Sequence, residues 1–340
     1  MDVSSFTYGS DTSGLVWGFI FGRDQNTVTP IDSAAALAWV RAGAPARENE
    51  FIWLHFNLSH SACEKWLHSN LDLSDEFFEA LHEGSRSTRI EVSENALIGV
   101  VNDVSHDFSF DAPDTSTLWI NVTRQVLVSA RRTPLQSIER LRQAVTQCEP
   151  IRSSVELLVH LLRDQADVLA RIVRSAVQRV DAIEDTLLAG RITHRREDLG
   201  TLRRVLVRLQ RLLAPEPASL FRLLQRPPAW VADTDTQELR ESTEEFSAVL
   251  DDMSSLKERI KLLQEELAAR VEEKNGRSLF VLTIVTVLAL PINMVAGLMG
   301  MNVGGVPLAQ HPAGFWIVAG TVTVTTIVAG LVVTRLQMRR

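Results

Sequence analysis

Apolar and polar positions follow different rhythms in successive parts of this chain. Residues 15–21, 51–57, 90–92, 96–101, 118–122 and 125–129 are short runs rich in Val, Ile, Trp and Phe, as strands are. Between them, 59–69 and 74–83 carry apolar residues at helical spacing, with Ser59 and Ser74 placed as caps. This alternation predicts a sheet covered by helices up to about residue 130. From Pro134 the period becomes helical throughout. Segments 134–146, 153–189 and 195–213 place Leu, Ile and Val every three or four residues, with Gly190 at a stop and Thr193 or His194 near a start. Pro215, Pro217, Pro227 and Pro228 then punctuate the chain and leave room for one short helix.

After Asp233 comes the longest helical signal. Phe246, Val249, Met253, Leu256, Ile260, Leu263 and Leu267 alternate steps of three and four, the spacing of a coiled-coil seam. Beyond it the pattern changes once more, because residues 278–334 contain no Asp, Glu, Lys or Arg. Two apolar blocks, 278–299 and 315–334, are each long enough to cross a bilayer, whose hydrocarbon core of roughly 30 Å needs about 20 helical residues. Stalk and first span read as one helix from about 238 to 300, on the order of 95 Å at 1.5 Å per residue. Asn275-Gly276 is its weak point, either a hinge or a tolerated defect, since Gly costs about 1 kcal/mol relative to Ala in a helix.

Charge orients the spans. Lys274 and Arg277 precede the first block, Arg335, Arg339 and Arg340 follow the second, and the loop between them carries no fixed charge. Positive flanks stay on the cytoplasmic side, so both termini are expected inside and the short loop outside. A lone hairpin cannot enclose a polar path, yet the first block holds Thr283, Thr286 and Asn293. An amide at membrane depth needs a polar partner or water. Asn293 shares a helix face with Leu290, Thr286, Leu282 and Leu279. In an assembly of copies that face lines a channel with Asn and Thr rings between Leu rings; equally, these groups could bond helix to helix.

Gly300-Met301-Asn302 lies between the two blocks, at the outer end of the first. In that position it resembles the signature of the CorA superfamily of divalent-cation transporters. The continuation Val303-Gly304-Gly305-Val306-Pro307 looks more like the zinc-transporting ZntB branch than the magnesium branch, whose usual Met-Pro-Glu-Leu loop motif is missing. The resemblance spans the whole architecture, with its specific motifs in the C-terminal third. It implies a homo-oligomer, a pentamer, embedded in the inner membrane, with Asn302 meeting the hydrated ion at the outer mouth. Chemistry supports such a role: the last turn of a helix leaves carbonyls without intrahelical partners, and a neutral ring of oxygens suits a cation that keeps part of its hydration shell. Gly300 would let the backbone turn there. Pro291 lies inside the first span, where a kink is tolerated. His311, the one titratable side chain on the outer loop, is either a recruitment or proton site or a solvated loop histidine.

The expected architecture is α+β: a cytosolic mixed α/β domain (1–132), a cytosolic helical region (133–232), a stalk helix (233–277) and two transmembrane helices (278–300 and 315–334) joined by an outer loop (301–314), forming an oligomeric funnel. A net charge of −7 and a pI near 5.7 argue against nucleic-acid binding. No signal peptide is expected, because the first residues are polar. The two cysteines, Cys63 and Cys148, offer neither a zinc knuckle nor a redox pair. Acid groups at Asp103, His106, Asp107 and Asp111, and at Glu238, Glu241, Glu244, Glu245, Asp251 and Asp252, could collect cations or be a solvated loop and an acid-favouring helix start. The lysines, Lys65, Lys257, Lys261 and Lys274, all lack the Gly-rich context of a P-loop, and no acid or base lies within the spans. No tightly bound cofactor and no enzymatic motif stand out. Alternatives to zinc transport are a CorA-type magnesium, cobalt or nickel channel, and a membrane-anchored binding or signalling protein.

Overall fold

The computed structural model describes residues 9–22, 27–43, 50–83, 88–93, 95–111, 114–189, 195–301, 308 and 311–337. The chain forms two compact units, Met1–Gln264 and Glu265–Arg340.

The first unit is built on a seven-stranded sheet of order β2-β1-β3-β7-β6-β5-β4. Its strands are β1 (Leu15–Phe21), β2 (Val28–Ile31), β3 (Phe51–Asn57), β4 (Arg89–Ser93), β5 (Ala96–Val104), β6 (Thr115–Val122) and β7 (Val126–Arg131). Among the described residues only the β3–β7 pairing is parallel. Strand β3 explains its own composition: Phe51 and Trp53 enter one core, Ile52, Leu54 and Phe56 the other. With both faces covered, a continuous apolar run replaces alternation. One face is covered by α1 (Ser33–Arg41), α2 (Cys63–Asn70) and α3 (Asp75–Glu83), which supply Trp39, Leu67 and Phe77. The other is covered by α4 (Gln136–Thr146), α5 (Ser154–Leu188) and α7 (Pro215–Gln225), which supply Ile138, Leu158 and Leu220. Each fully buried Leu, Ile or Phe contributes about 1.5–3 kcal/mol.

Two elements were not legible in the periodicity. Strand β2 contains Pro30 and α1 follows it directly, with Asp32 Oδ1 accepting from Ala35 N at 2.8 Å as the cap. A proline lacks the ladder donor, and β2 tolerates it as the sheet's edge strand. Helix α2 starts later than its expected cap: Ala62 precedes it without a side-chain bond, and Ser59 Oγ instead donates to Arg132 O at 3.3 Å. The stop and start expected at Gly190, Thr193 and His194 lie outside the described residues.

Helix α8 (Asp233–Met299) is 67 residues long and passes through Asn275-Gly276 and Pro291 without a break. Its seam has a partner within the same chain. Arg259 binds Asp181 at 2.8 Å and Glu184 of α5, and Lys257 binds Gln210 of α6 (Arg195–Leu213). Arg203 of α6 donates to Gln264 at 3.2 Å. The buried apolar positions up to Gln264 are Leu239, Phe246, Leu250, Met253, Leu256, Ile260 and Leu263, so Leu250 takes the place expected of Val249. A helix packing onto two neighbours rotates its buried stripe away from a strict two-helix heptad.

Candidate functional site

The second unit carries the spans. The apolar end of α8 and helix α9 (Gly314–Gln337) are the two helices among the described residues long and apolar enough to cross a membrane. The upper part of α8 is exposed nearly all round, with Ala289 and a stripe of Ile284, Leu288, Ile292 and Val295 half-buried. At 100° per residue, Leu279, Leu282, Thr286, Leu290 and Asn293 fall on the opposite side of the helix, and all five are exposed. The face that carries the polar residues is exposed in the single chain, as are Val281, Val285, Val287 and Met294 around the rest of the helix. Thr286 donates to Leu282 O at 2.9 Å and Thr283 to Leu279 O at 2.8 Å, which satisfies both hydroxyl protons inside the helix. Asn293 has no hydrogen-bond partner among the described residues.

At the end of this helix Gly300 N donates to Ala296 O at 2.9 Å, closing the last turn. Gly300 does not have a positive φ, which corrects the expectation that glycine is needed there for an unusual backbone. A Cβ at this position would come within 3.2 Å of Ala296 O. Met301 is exposed, and Asn302 lies outside the described residues. His311 is exposed and bonds within its own turn. Its Nδ1 accepts from Ala313 N at 3.2 Å, and its carbonyl accepts from Gly314 N at 2.9 Å, where α9 begins. Accepting at Nδ1 requires that nitrogen to be unprotonated.

Three acids, Asp103, Asp235 and Glu238, are bonded within the fold. Asp103 is not in a loop but at the end of β5, buried, accepting from Val104 N at 2.7 Å, Ser137 N at 3.3 Å and Ser137 Oγ. Burial pushes its carboxyl up to about 6. Asp235 accepts from Ser153 Oγ at 2.6 Å, and Glu238 binds Arg152 at 2.5 Å, so the start of α8 is tied to the start of α5. Glu241, Glu244, Glu245, Asp251 and Asp252 are exposed. No group of three or more His, Cys, Asp or Glu among the described residues could hold a metal ion. Cys63 is buried with its thiol pushed up to about 12 by desolvation, and Cys148 is exposed.

Sequence reading missed two sets of buried polar residues. On the sheet, Arg131 Nε donates to His55 Nε2 at 3.1 Å, and both His55 Nδ1 and Trp53 Nε1 lie 2.8 Å from Ser129 Oγ. Desolvation, then the Arg131 charge, hold His55 well below its ordinary value. Behind the sheet, Gln165 Nε2 donates to Asn102 O at 2.7 Å and to Glu216 Oε2 at 3.0 Å. Desolvation raises Glu216 well above the usual carboxylate range, while the Gln165 bond opposes it and the Asp103 charge adds to it. The only sequence signal was a lone acid between Pro215 and Pro217.

A family model described as CorA-like Mg2+ transporter protein matches residues 48–335. The divalent cation transporter CmaX of Pseudomonas aeruginosa is 26% identical over 313 residues, 90% of this chain and 91% of that protein. The zinc transport protein ZntB of Pectobacterium atrosepticum is 23% identical over 265 residues, 78% of this chain and 80% of that protein. Among solved structures, full-length CmaX matches with a TM-score of 0.80 at 23% identity, covering 96% of this chain and 99% of that one. The CorA magnesium transporter from Methanocaldococcus jannaschii matches at 0.75 and 20% identity, covering 93% and 96%. These structural likenesses speak for the fold: a mixed sheet domain, a long helix and a second apolar helix. With strands β3 to β7, helices α2 to α8 and most of α9 inside the matched span, the chain belongs to the CorA-like Mg2+ transporter family.

Proposed function

We propose that this protein moves divalent cations, zinc among them, across the inner membrane through a pore lined by the upper part of α8 from several copies of the chain. The observation that carries this reading is the face of Leu279, Leu282, Thr286, Leu290 and Asn293, which holds an amide and a hydroxyl on an otherwise apolar, exposed span. A polar amide exposed on an otherwise apolar span is costly against lipid and is relieved by water or by the same amide of neighbouring copies. Five copies, both termini on the cytoplasmic side and a short outer loop complete the arrangement. Asn302 stands at the mouth beside Gly300 and Met301, offering neutral oxygens to an ion that keeps part of its water. Leu290, Leu282 and Leu279 form apolar constrictions, the kind that gate by dewetting.

Support for zinc is the likeness to ZntB proteins and the missing acidic loop motif. Magnesium is the second reading, favoured by the description of the family model. Uptake of zinc against magnesium into proteoliposomes, with and without an inward proton gradient, separates them. Zinc uptake that rises with the gradient is expected; magnesium uptake driven by voltage alone would establish the second reading. The mouth is tested by Asn302→Ala, which should abolish selective uptake while the oligomer stays intact, and unchanged uptake would remove Asn302 from that role.

A further inference from the structure

The interior of the first unit holds two carboxyl groups for which neither the fold nor ion conduction has an evident use. Glu216 opens α7, is 1% exposed, and faces α5 and the end of β5. One of its oxygens accepts from Gln165; the other, Oε1, is buried without a partner. Gln165 is itself 3% exposed and spends its two amide protons on Glu216 Oε2 and Asn102 O, bridging α7 to the sheet. Asp103, 1% exposed, shares this interior and accepts its bonds from β5 and α4.

The two groups are served differently. Every bond to Asp103 comes from a donor, the arrangement that favours a carboxylate. Glu216 has a single neutral donor, and no Lys, Arg or His among the described residues is paired with it. An ionised carboxylate left so costs far more in a low-dielectric interior than a neutral acid. The charges around the pair come from three elements. Asp103 on β5 acts on Glu216, and Asp164 on α5 acts on Asp103. Asp164 is in turn paired with Arg140 of α4 at 2.9 Å and senses Asp167 and His160. The Arg140 charge is thus committed to Asp164 and to Asp167, at 2.8 Å.

We infer that Glu216, oriented by Gln165 and faced by Asp103, is a buried proton-binding site that fastens α7 to α5 and the sheet. Its ligand is one proton, taken from and returned to the surrounding water, with no other bond made or broken. Bound, the proton leaves the interior with a single negative charge, on Asp103. Lost, it leaves two negative charges in an interior shared with Leu220, Leu223 and Leu224 at the back of the sheet, which drives α7 away from its seat. Packing of this layer therefore follows the pH that bathes the unit. The inference does not depend on which ion is transported.

Infrared spectroscopy of the full-length protein in nanodiscs, titrated from acid to alkaline pH, tests it. The expected result is a carbonyl band of a buried protonated carboxylic acid at neutral pH, lost in Glu216→Gln. In Asp103→Asn the band should remain and titrate at lower pH, because the neighbouring negative charge is gone. Absence of the band at neutral pH, or its survival in Glu216→Gln, overturns the inference. Should Glu216→Gln fail to fold, the Asp103→Asn protein decides alone: an unshifted titration overturns it.

Discussion

The two ends of α8 are one helix read by two solvents. Its lower part presents one buried stripe, from Leu239 to Leu263, with charged residues such as Glu244, Glu245, Asp251 and Asp252 on the other side. Its upper part is apolar nearly all round, and Leu279, Leu282 and Leu290 are each 63% exposed. In water, apolar area drives helix against helix, and the seam folds onto α5 and α6. In lipid that drive is absent, so spans associate through packing and polar contacts instead. A leucine of the lower stripe is a packing residue; Leu279, Leu282 and Leu290 are part of a surface.

The largest effect should come from breaking the lower end. Phe246→Ala opens a cavity at a fully buried position and should cost about 3–5 kcal/mol, read as a lower thermal or chemical unfolding midpoint of the full-length protein. A change below about 1 kcal/mol would show that the seam does not hold the helix layer together.

Next is the pH dependence of the buried layer. Folding raises Asp103 from 3.8 to about 6 and Glu216 in the same direction. The folded state thus holds these protons more tightly than the unfolded chain, so their contribution is fully present at acid pH and is lost as pH rises through the folded values. For Asp103 the window runs from about 4 to about 6. Asp103→Asn should flatten melting temperature against pH in that window, and an unaltered slope would contradict the assignment.

Smaller for stability, and opposite in kind, is Leu290→Ala at the upper end. Because this side chain is not buried in the chain, the unfolding midpoint should move by less than about 0.5 kcal/mol. Uptake into proteoliposomes should nevertheless change, since a constriction is widened. Loss of stability on the Phe246 scale would mean that the leucine packs in a core after all.

A modest effect, confined to stability, is expected for Arg152→Ala, which removes the ion pairs to Glu156 at 2.9 Å and to Glu238. Arg152 and Glu238 are partly exposed while Glu156 is buried; an exposed pair contributes about 0.2–1 kcal/mol. Measuring the midpoint at low and high salt checks it, because screening should shrink the difference.

Local signals were legible where the solvent acts on each residue separately. Strand β3, helix α5 and the spans were readable because a run of Phe, Trp and Leu, a three-and-four spacing, or a charge-free stretch of about 20 residues carries its meaning within itself. Strand β2 was not, because Pro30 argues against a strand and only its edge position excuses it. The seam's existence was readable, but its partner was not: periodicity gives a sticky stripe, and either another copy or α5 and α6 could cover it. His311 and the stalk acids were readable as titratable groups, yet their bonds to Ala313 and Arg152 follow from turn geometry and helix placement.

What the sequence alone determined is the membrane part and the family: hydrophobic length and the Gly300-Met301-Asn302 run between two spans are local properties, independent of what folds beside them. What only the tertiary structure decided is the fate of Asp103 and Glu216. Both are raised first by desolvation, with the Asp103 charge adding at Glu216 and the Asp164 charge at Asp103, and the groups that make this site, residues 103, 137, 165 and 216, lie on four elements far apart along the chain. Burial is a property of the packed molecule, so no pattern in the residues around either acid announces it.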